Sequence, residues 1–240
     1  MTQTRPAMAQ FDIRPPITDL VYDRLYAAII GRELLPGSQL TEQALADQLN
    51  VSKTPVREAL LRLRQVGLIE PDGRRGMRVV KLSLEDLRQA TELRAVLEGF
   101  TAGRAAELAT KAQARLITRA AEDSLDAAED GNIDSFHQHD RAFHARIADA
   151  GNNVRARQCA DNTAALIHTV MTRDTFPTPD HLVDCAGAHV RIGQAIMGGD
   201  AATASTEMHK HIWRIHELLL AQDLDLEQSD AIPFRPALVA

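Results

Sequence analysis

Aromatic residues are scarce in this chain, at 4% of 240 residues with a single tryptophan, although hydrophobic residues as a whole reach 45%. A core of that size with so few rings has to be built from Leu, Ile, Val and Ala, which points to helices rather than a β-sandwich. Cysteine is nearly absent. Cys159 and Cys185 lack the spacing of a thiolate metal site or a redox pair, so no disulfide framework is expected. No apolar run reaches the roughly 20 residues that span a bilayer, and the N-terminal residues lack the apolar stretch of a secretion signal. A cytoplasmic protein with no membrane partner is expected. Positive charge is also in deficit: the formal net charge of −6 argues, taken globally, against a nucleic-acid binder.

The distribution of that charge points the other way. Residues 1–81 hold 12 Lys and Arg against 9 Asp and Glu, whereas residues 82–240 hold 15 against 24. Within 51–81 the ratio is 8 to 3. A basic N-terminal module joined to an acidic C-terminal one follows, and only the first should approach phosphates.

The basic module centres on Ser52–Gly67. Val56, Leu60, Leu63 and Val66 recur at helical spacing. Ser52 or Thr54 can cap the N-terminus, and Pro55 is tolerated in the first turn, where its missing N–H is not needed. Glu58 is expected to complement the helix dipole. Lys53, Arg57, Arg64 and the two hydroxyls are left near the exposed tip and flank, which suits a DNA major groove as well as it suits a solvated amphipathic helix. Before this stretch, residues 1–16 read as a lead-in and Ile17 to about Gly31 as a helix. Leu35–Gln39 is a turn, and Thr41 caps a short helix with Leu45 and Leu49 inward, ended by Asn50. The result is a helix-turn-helix with a supporting helix. After Gly67, two short β-prone runs around Pro71–Gly76 read as a hairpin, the wing of a winged helix, with Arg74 and Arg75 at its tip.

Val51-Ser-Lys-Thr-Pro-Val-Arg-Glu-Ala-Leu60, followed by Leu63, Gly67-Leu-Ile69 and Arg75-Gly76, resembles the DNA-binding domain of the GntR family of bacterial transcription regulators over about residues 17–81. The resemblance implies DNA contacts by Ser52, Lys53, Thr54 and Arg57, with the Arg75-Gly76 tip in the minor groove. Gln43 and Lys53 stand where the family often has arginine. Lys53 keeps the charge but not the fork that reads guanine.

The rest of the chain, residues 82–221, reads as helical throughout, at about 83–108, 110–130, 132–150, 154–172, 181–198 and 200–221. Gly131-Asn132, Gly151-Asn152, Phe176–Pro179 and Gly198-Gly199 separate these helices, and residues 222–240 form a tail. The expected fold is mainly α: a winged helix-turn-helix followed by an antiparallel bundle of six or seven helices. Asp140 and His144 lie one turn apart on the stripe Phe136, Phe143, Ile147. His189 shares a stripe with Leu182, Ala186, Gly193 and Ile196, and His211 with Met208, Ile212, Ile215 and Leu218. Each histidine taken singly reads as a hydrogen-bonded core residue. Together with the carboxylate they also form a reasonable set for Zn, Ni, Mn or Fe, zinc foremost, with positions open for water or ligand. Arg94 and Glu98, one turn apart, read on their own as an intrahelical ion pair of small worth.

Asp140-x-x-Phe143-His144, His189 ahead of Ala195-Ile-x-x-Gly-Asp200, and Met208-x-x-His211 resemble the metal-binding subset of the FadR-type C-terminal domain over about residues 83–221. That resemblance implies Asp140, His144, His189 and His211 as metal ligands and Arg94, in Glu92-Leu-Arg94-x-x-Leu-Glu98, as an effector-pocket arginine that would clamp a small organic acid against the metal. The function expected is a dimeric, ligand-responsive regulator, repression being the commoner case, that binds double-stranded DNA at a palindromic operator. The alternative is a metal-dependent hydrolase using the Asp/His site, which leaves the basic winged helix unexplained.

Overall fold

The computed structural model describes residues 15–73, 75–171 and 178–221. The lead-in up to residue 14, Arg74 of the expected wing tip, residues 172–177 with the first half of the Phe176–Pro179 turn, and the tail 222–240 lie outside the described residues. The chain divides into two compact units, one of residues up to Leu34 and Ser38–Val79, the other of Leu35–Gly37 and the chain from Val80.

In the first unit, helix α1 (Ile17–Ile30) packs on α3 (Lys53–Gln65). Val21, Leu25 and Ile29 of α1 and Val56, Ala59, Leu60 and Leu63 of α3 are buried. Between them in the chain, α2 (Glu42–Leu49) is capped by the Thr41 hydroxyl, which accepts from the Ala44 N–H, and ends on Asn50 in a left-handed conformation. Ser52 occupies the N-cap of α3 but makes no side-chain cap hydrogen bond there. Glu58 lies beyond the first turn of α3 and accepts a hydrogen bond from the Thr18 hydroxyl at 2.8 Å. It ties α3 to α1 rather than complementing the dipole as its charge suggests.

Strands β2 (Ile69–Pro71) and β3 (Met77–Val79) form the expected hairpin, pairing Ile69 with Val79 and Pro71 with Met77. A third strand, β1 (Gln39–Leu40), joins the other edge of β3, so the wing is a three-stranded sheet in the order β1-β3-β2. The end of what reads as a turn is therefore a strand. Gly76 makes this possible: its φ is +103°, and a Cβ there would lie 2.8 Å from the Leu40 carbonyl oxygen.

The second unit contains, among the described residues, six helices: α4 (Leu84–Leu108), α5 (Lys111–Glu129), α6 (Ile133–Ala150), α7 (Val154–Val170), α8 (Pro179–Gly198) and α9 (Ala201–Leu220). Capping chemistry sets where each begins. Ser83 and Thr110 form capping boxes with Asp86 and Gln113, and the side chains of Asn132, Asn153, Thr178 and Asp200 accept from the third residue on. Helix α4 is central, packed against α6, α7, α8 and α9, while α5 lies on α6 and α8. Two apolar clusters result, one around Ile117, Phe143, Ile192 and Met208, the other around Leu87, Phe136, Ile167 and Leu218.

Candidate metal centre and DNA-facing helix

Asp140, His144, His189 and His211 project from α6, α8 and α9 so that one donor atom of each lies within 4.8 Å of all the others. His189 Nε2 is 3.3 Å from Asp140 Oδ1 and 3.3 Å from His211 Nε2, and His144 Nε2 is 3.6 Å from Asp140 Oδ1. Bonds of about 2.0–2.1 Å to a tetrahedral ion would separate neighbouring donors by roughly 3.3 Å, so these spacings suit a metal of zinc's size. The site lies where the apolar clusters meet: the His189 ring has Phe143 at 4.5 Å and Phe136 at 6.1 Å between centroids.

The outer groups fix which nitrogens face inward. The Ser124 hydroxyl donates to the Ala121 carbonyl at 2.7 Å and so accepts from His189 Nδ1 at 3.0 Å, leaving the Nε2 lone pair toward the cluster. Cys185 Sγ lies 4.0 Å from His211 Nδ1. His144 Nδ1 is 2.5 Å from Glu98 Oε2, an ion-pair contact without hydrogen-bond geometry, and both ring nitrogens of His144 are buried with no hydrogen-bond partner among the described residues. A buried polar group left in that condition calls for an explanation, and a metal ion at Nε2 supplies one. The residues present therefore fit a divalent ion.

The electrostatics point the same way at three of the four residues, and at His144 a metal would have to displace a proton. Burial alone would raise Asp140, but the His144 and His189 rings hold it well below the usual carboxylate range. Burial lowers His189 and His211, keeping both neutral, the form that ligates metal. Burial works against a charged His144 too, yet Glu98 and Asp140 on its two sides raise it to about 9. Three imidazoles and the Asp140 carboxylate make a donor set suited to a divalent cation, with Glu98 outside it behind His144.

Arg94 and Glu98 are more than the intrahelical pair of small worth that their spacing alone suggests. Their side chains are 6% and 9% exposed, and Arg94 Nε meets Glu98 Oε1 at 2.5 Å. Burial would raise the Glu98 carboxyl, but Arg94 first and then His144 hold it well below its ordinary range. Glu98 is thus a member of the site that spacing on one helix cannot reveal. Ser124 carries no signal in the sequence at all. His137 is not among the four converging residues.

In the first unit, Ser52, Lys53, Thr54 and Arg57 are exposed along the start of α3. Arg57 is held by Glu42 at the start of α2, with Nε to Oε1 at 2.9 Å and Nη2 to Oε2 at 2.8 Å. Gln43 is exposed and donates to Asp47 at 2.8 Å. Arg75 is exposed, and its carbonyl accepts from Gln39 Nε2 at 3.1 Å. The Gly76 carbonyl closes the wing turn by accepting from the Asp72 N–H at 2.9 Å.

A winged helix-turn-helix with a basic leading helix, carried on a chain with an all-helical bundle around an Asp/His cluster, defines a two-module transcription regulator. Residues 17–79 match the bacterial regulatory proteins of the gntR family and residues 89–214 match the FCD domain. The chain belongs to the GntR family, with an FCD domain as its second module. It is 30% identical over 208 residues to the HTH-type transcriptional regulator LutR of Bacillus subtilis, covering 78% of this chain and 94% of that protein. It is 28% identical over 210 residues to the HTH-type transcriptional repressor RspR of Escherichia coli, covering 87% and 91%. The solved structure of E. coli McbR/YncC shares the fold, with a TM-score of 0.73 at 21% identity over 87% of this chain and 99% of that one. Among the described residues no helix is long and apolar enough to cross a membrane.

Proposed function

We propose that this regulator is a metal-dependent, acid-responsive repressor. Asp140, His144, His189 and His211 hold a divalent ion, zinc foremost, with Ni, Mn or Fe as alternatives. A small organic acid binds between that ion and Arg94 and changes affinity for DNA. The observation that carries the reading is the convergence of four donors on one point with His144 buried and without a hydrogen bond. Arg94 adds to it: Glu98 grips the Nε side, which leaves the Nη end as the part of the fork a ligand would meet. That end of the fork can take a carboxylate through two hydrogen bonds. When bound, the ion supplies Lewis acidity toward the acid's oxygens; the chain's own residues orient it and exclude water.

On the DNA side, Ser52, Lys53, Thr54 and Arg57 meet the major groove, Gln43 flanks them, and the Arg75-Gly76 tip enters the minor groove. The polar N-terminal end of α3 and the exposed Arg75 beside the positive-φ Gly76 support this assignment. One winged helix covers a half-site, so a palindromic operator and a homodimer follow. Helix α4 offers a surface for the second copy: Leu93, Val96 and Phe100 share one face and are 50%, 61% and 46% exposed. Repression is proposed by likeness to RspR, named a repressor. The test is a thermal-shift screen of carboxylic acids with and without chelator, since stabilisation that needs both acid and metal is expected from no other arrangement.

A further inference from the structure

We infer that Glu98 is a positioning residue for the metal, the middle of a chain in which Arg94 holds Glu98 and Glu98 holds His144. The inference rests on the metal-binding reading above. Arg94 and Glu98 face inward from adjacent turns of α4, and His144 reaches them from α6. One carboxylate oxygen, Oε1, takes Arg94 Nε at 2.5 Å, and the other, Oε2, lies 2.5 Å from His144 Nδ1. Glu98 is not one of the four residues whose donors converge. It sits behind His144, on the nitrogen away from Asp140.

The division of labour follows from donor and acceptor chemistry. A metal at His144 takes the Nε2 lone pair, so the ring's remaining proton stays on Nδ1 and needs an acceptor. Glu98 Oε2 is the acceptor within reach: its contact with Nδ1 lacks hydrogen-bond geometry here and would have to align once a metal fixes the ring. Arginine is only a donor, so Arg94 in turn requires an oxygen from residue 98. A carboxylate satisfies both neighbours. An amide cannot: Glu98→Gln must turn its oxygen to Arg94 and its NH2 to His144 Nδ1, placing donor against donor whenever metal is bound. His189 is buttressed independently, by Ser124, and serves as an internal control.

The experiment uses the full chain and zinc alone. Zinc affinity is measured by competition with a chromophoric chelator, and the imidazole N–H resonances of the zinc-loaded protein are recorded by NMR. Glu98→Gln is expected to weaken zinc roughly 10- to 100-fold. It should also erase or shift the His144 Nδ1–H resonance while leaving that of His189 in place, a pattern that general loosening of the fold would not give. Losing one partner of a buried ion pair can prevent folding, so the double variant Arg94→Leu/Glu98→Leu, which removes both charges and keeps the core filled, serves as the second test. It too should bind zinc more weakly. Wild-type zinc affinity in either folded variant overturns the inference while leaving the metal site intact. Failure of the wild-type protein to bind zinc at all overturns both.

Discussion

Arg57 on α3 and Glu42 on α2 form a two-point ion pair through Nε and Nη2, so the residue expected to read DNA is already held by its own module. The pair is exposed, and exposed pairs of this kind contribute little to stability. The grip takes one side of the guanidinium and leaves Nη1 outside the pair, so part of the fork remains able to meet a base. Arg57→Ala is therefore expected to abolish specific operator binding, with fold and metal content unchanged. Nη1 alone offers a single contact; a bidentate base contact, worth roughly one to two orders of magnitude in affinity, requires Glu42 to release Nε or Nη2. Fluorescence anisotropy on duplexes selected from a random pool checks it, and unchanged affinity would refute the assignment.

Gly76 gives a prediction about the wing. With φ at +103° and the Leu40 carbonyl oxygen 2.8 Å from where a Cβ would sit, Gly76→Ala must strain the backbone and push β1 away from β3. A cost of about 1–3 kcal/mol is expected. Gly73 has φ of +55° and nothing within 4 Å, so Gly73→Asn should cost little. Denaturation midpoints of the two variants decide the matter; equal losses would show that the β1 contact does not matter.

Much of this architecture is legible in the sequence because it is written locally. Thr41, Ser83, Thr110 and Asn132 stand where caps are needed, and the helices they open begin there. The Asp140, His144, His189 and His211 stripes can be placed inward from period alone, and the structure brings them together. What escapes the sequence is non-local. Strand β1 is two residues long and has no periodicity to detect. Glu58 reads as a dipole residue because its partner, Thr18, lies on another helix. Glu98 reads as half of an intrahelical pair of small worth because neither its burial nor His144 is visible from α4.

His189→Ala combined with His211→Ala is expected to remove bound metal. Two of four ligands are lost, and Asp140 with His144 on one turn of α6 cannot enclose an ion. Zinc should raise the unfolding temperature of the wild-type bundle, by about 2.7 kcal/mol of stabilisation at 100 times the dissociation constant, and leave the double variant unmoved. Elemental analysis of the purified proteins is the direct check, and equal metal content would sink the ligand assignment.

The exposed face of α4 carries a prediction about assembly. Leu93, Val96 and Phe100 present apolar surface at helical spacing. Phe100→Asp should place a charge where a second copy would bury a ring, yielding a monomer whose helical content is unchanged. Sedimentation or light scattering reads the mass. A dimer of wild-type stability would move the interface elsewhere.

Arg94 makes the last prediction, about the effector. Its Nε is committed to Glu98, so a ligand can be met only by the Nη groups, which favours a carboxylate over an amide or an alcohol. The second anchor is the metal, held by residues on α6, α8 and α9. An acid touching both should stabilise the protein in the presence of metal and lose that effect when chelator is added; the amide of the same acid should do nothing. Arg94→Lys is the informative variant, because it keeps the charge that Glu98 needs but not the fork. It should retain zinc and lose at least tenfold in response to the acid. If the acid stabilises Arg94→Lys as strongly as the wild type, the guanidinium is not the clamp and the metal alone must be recognising the ligand.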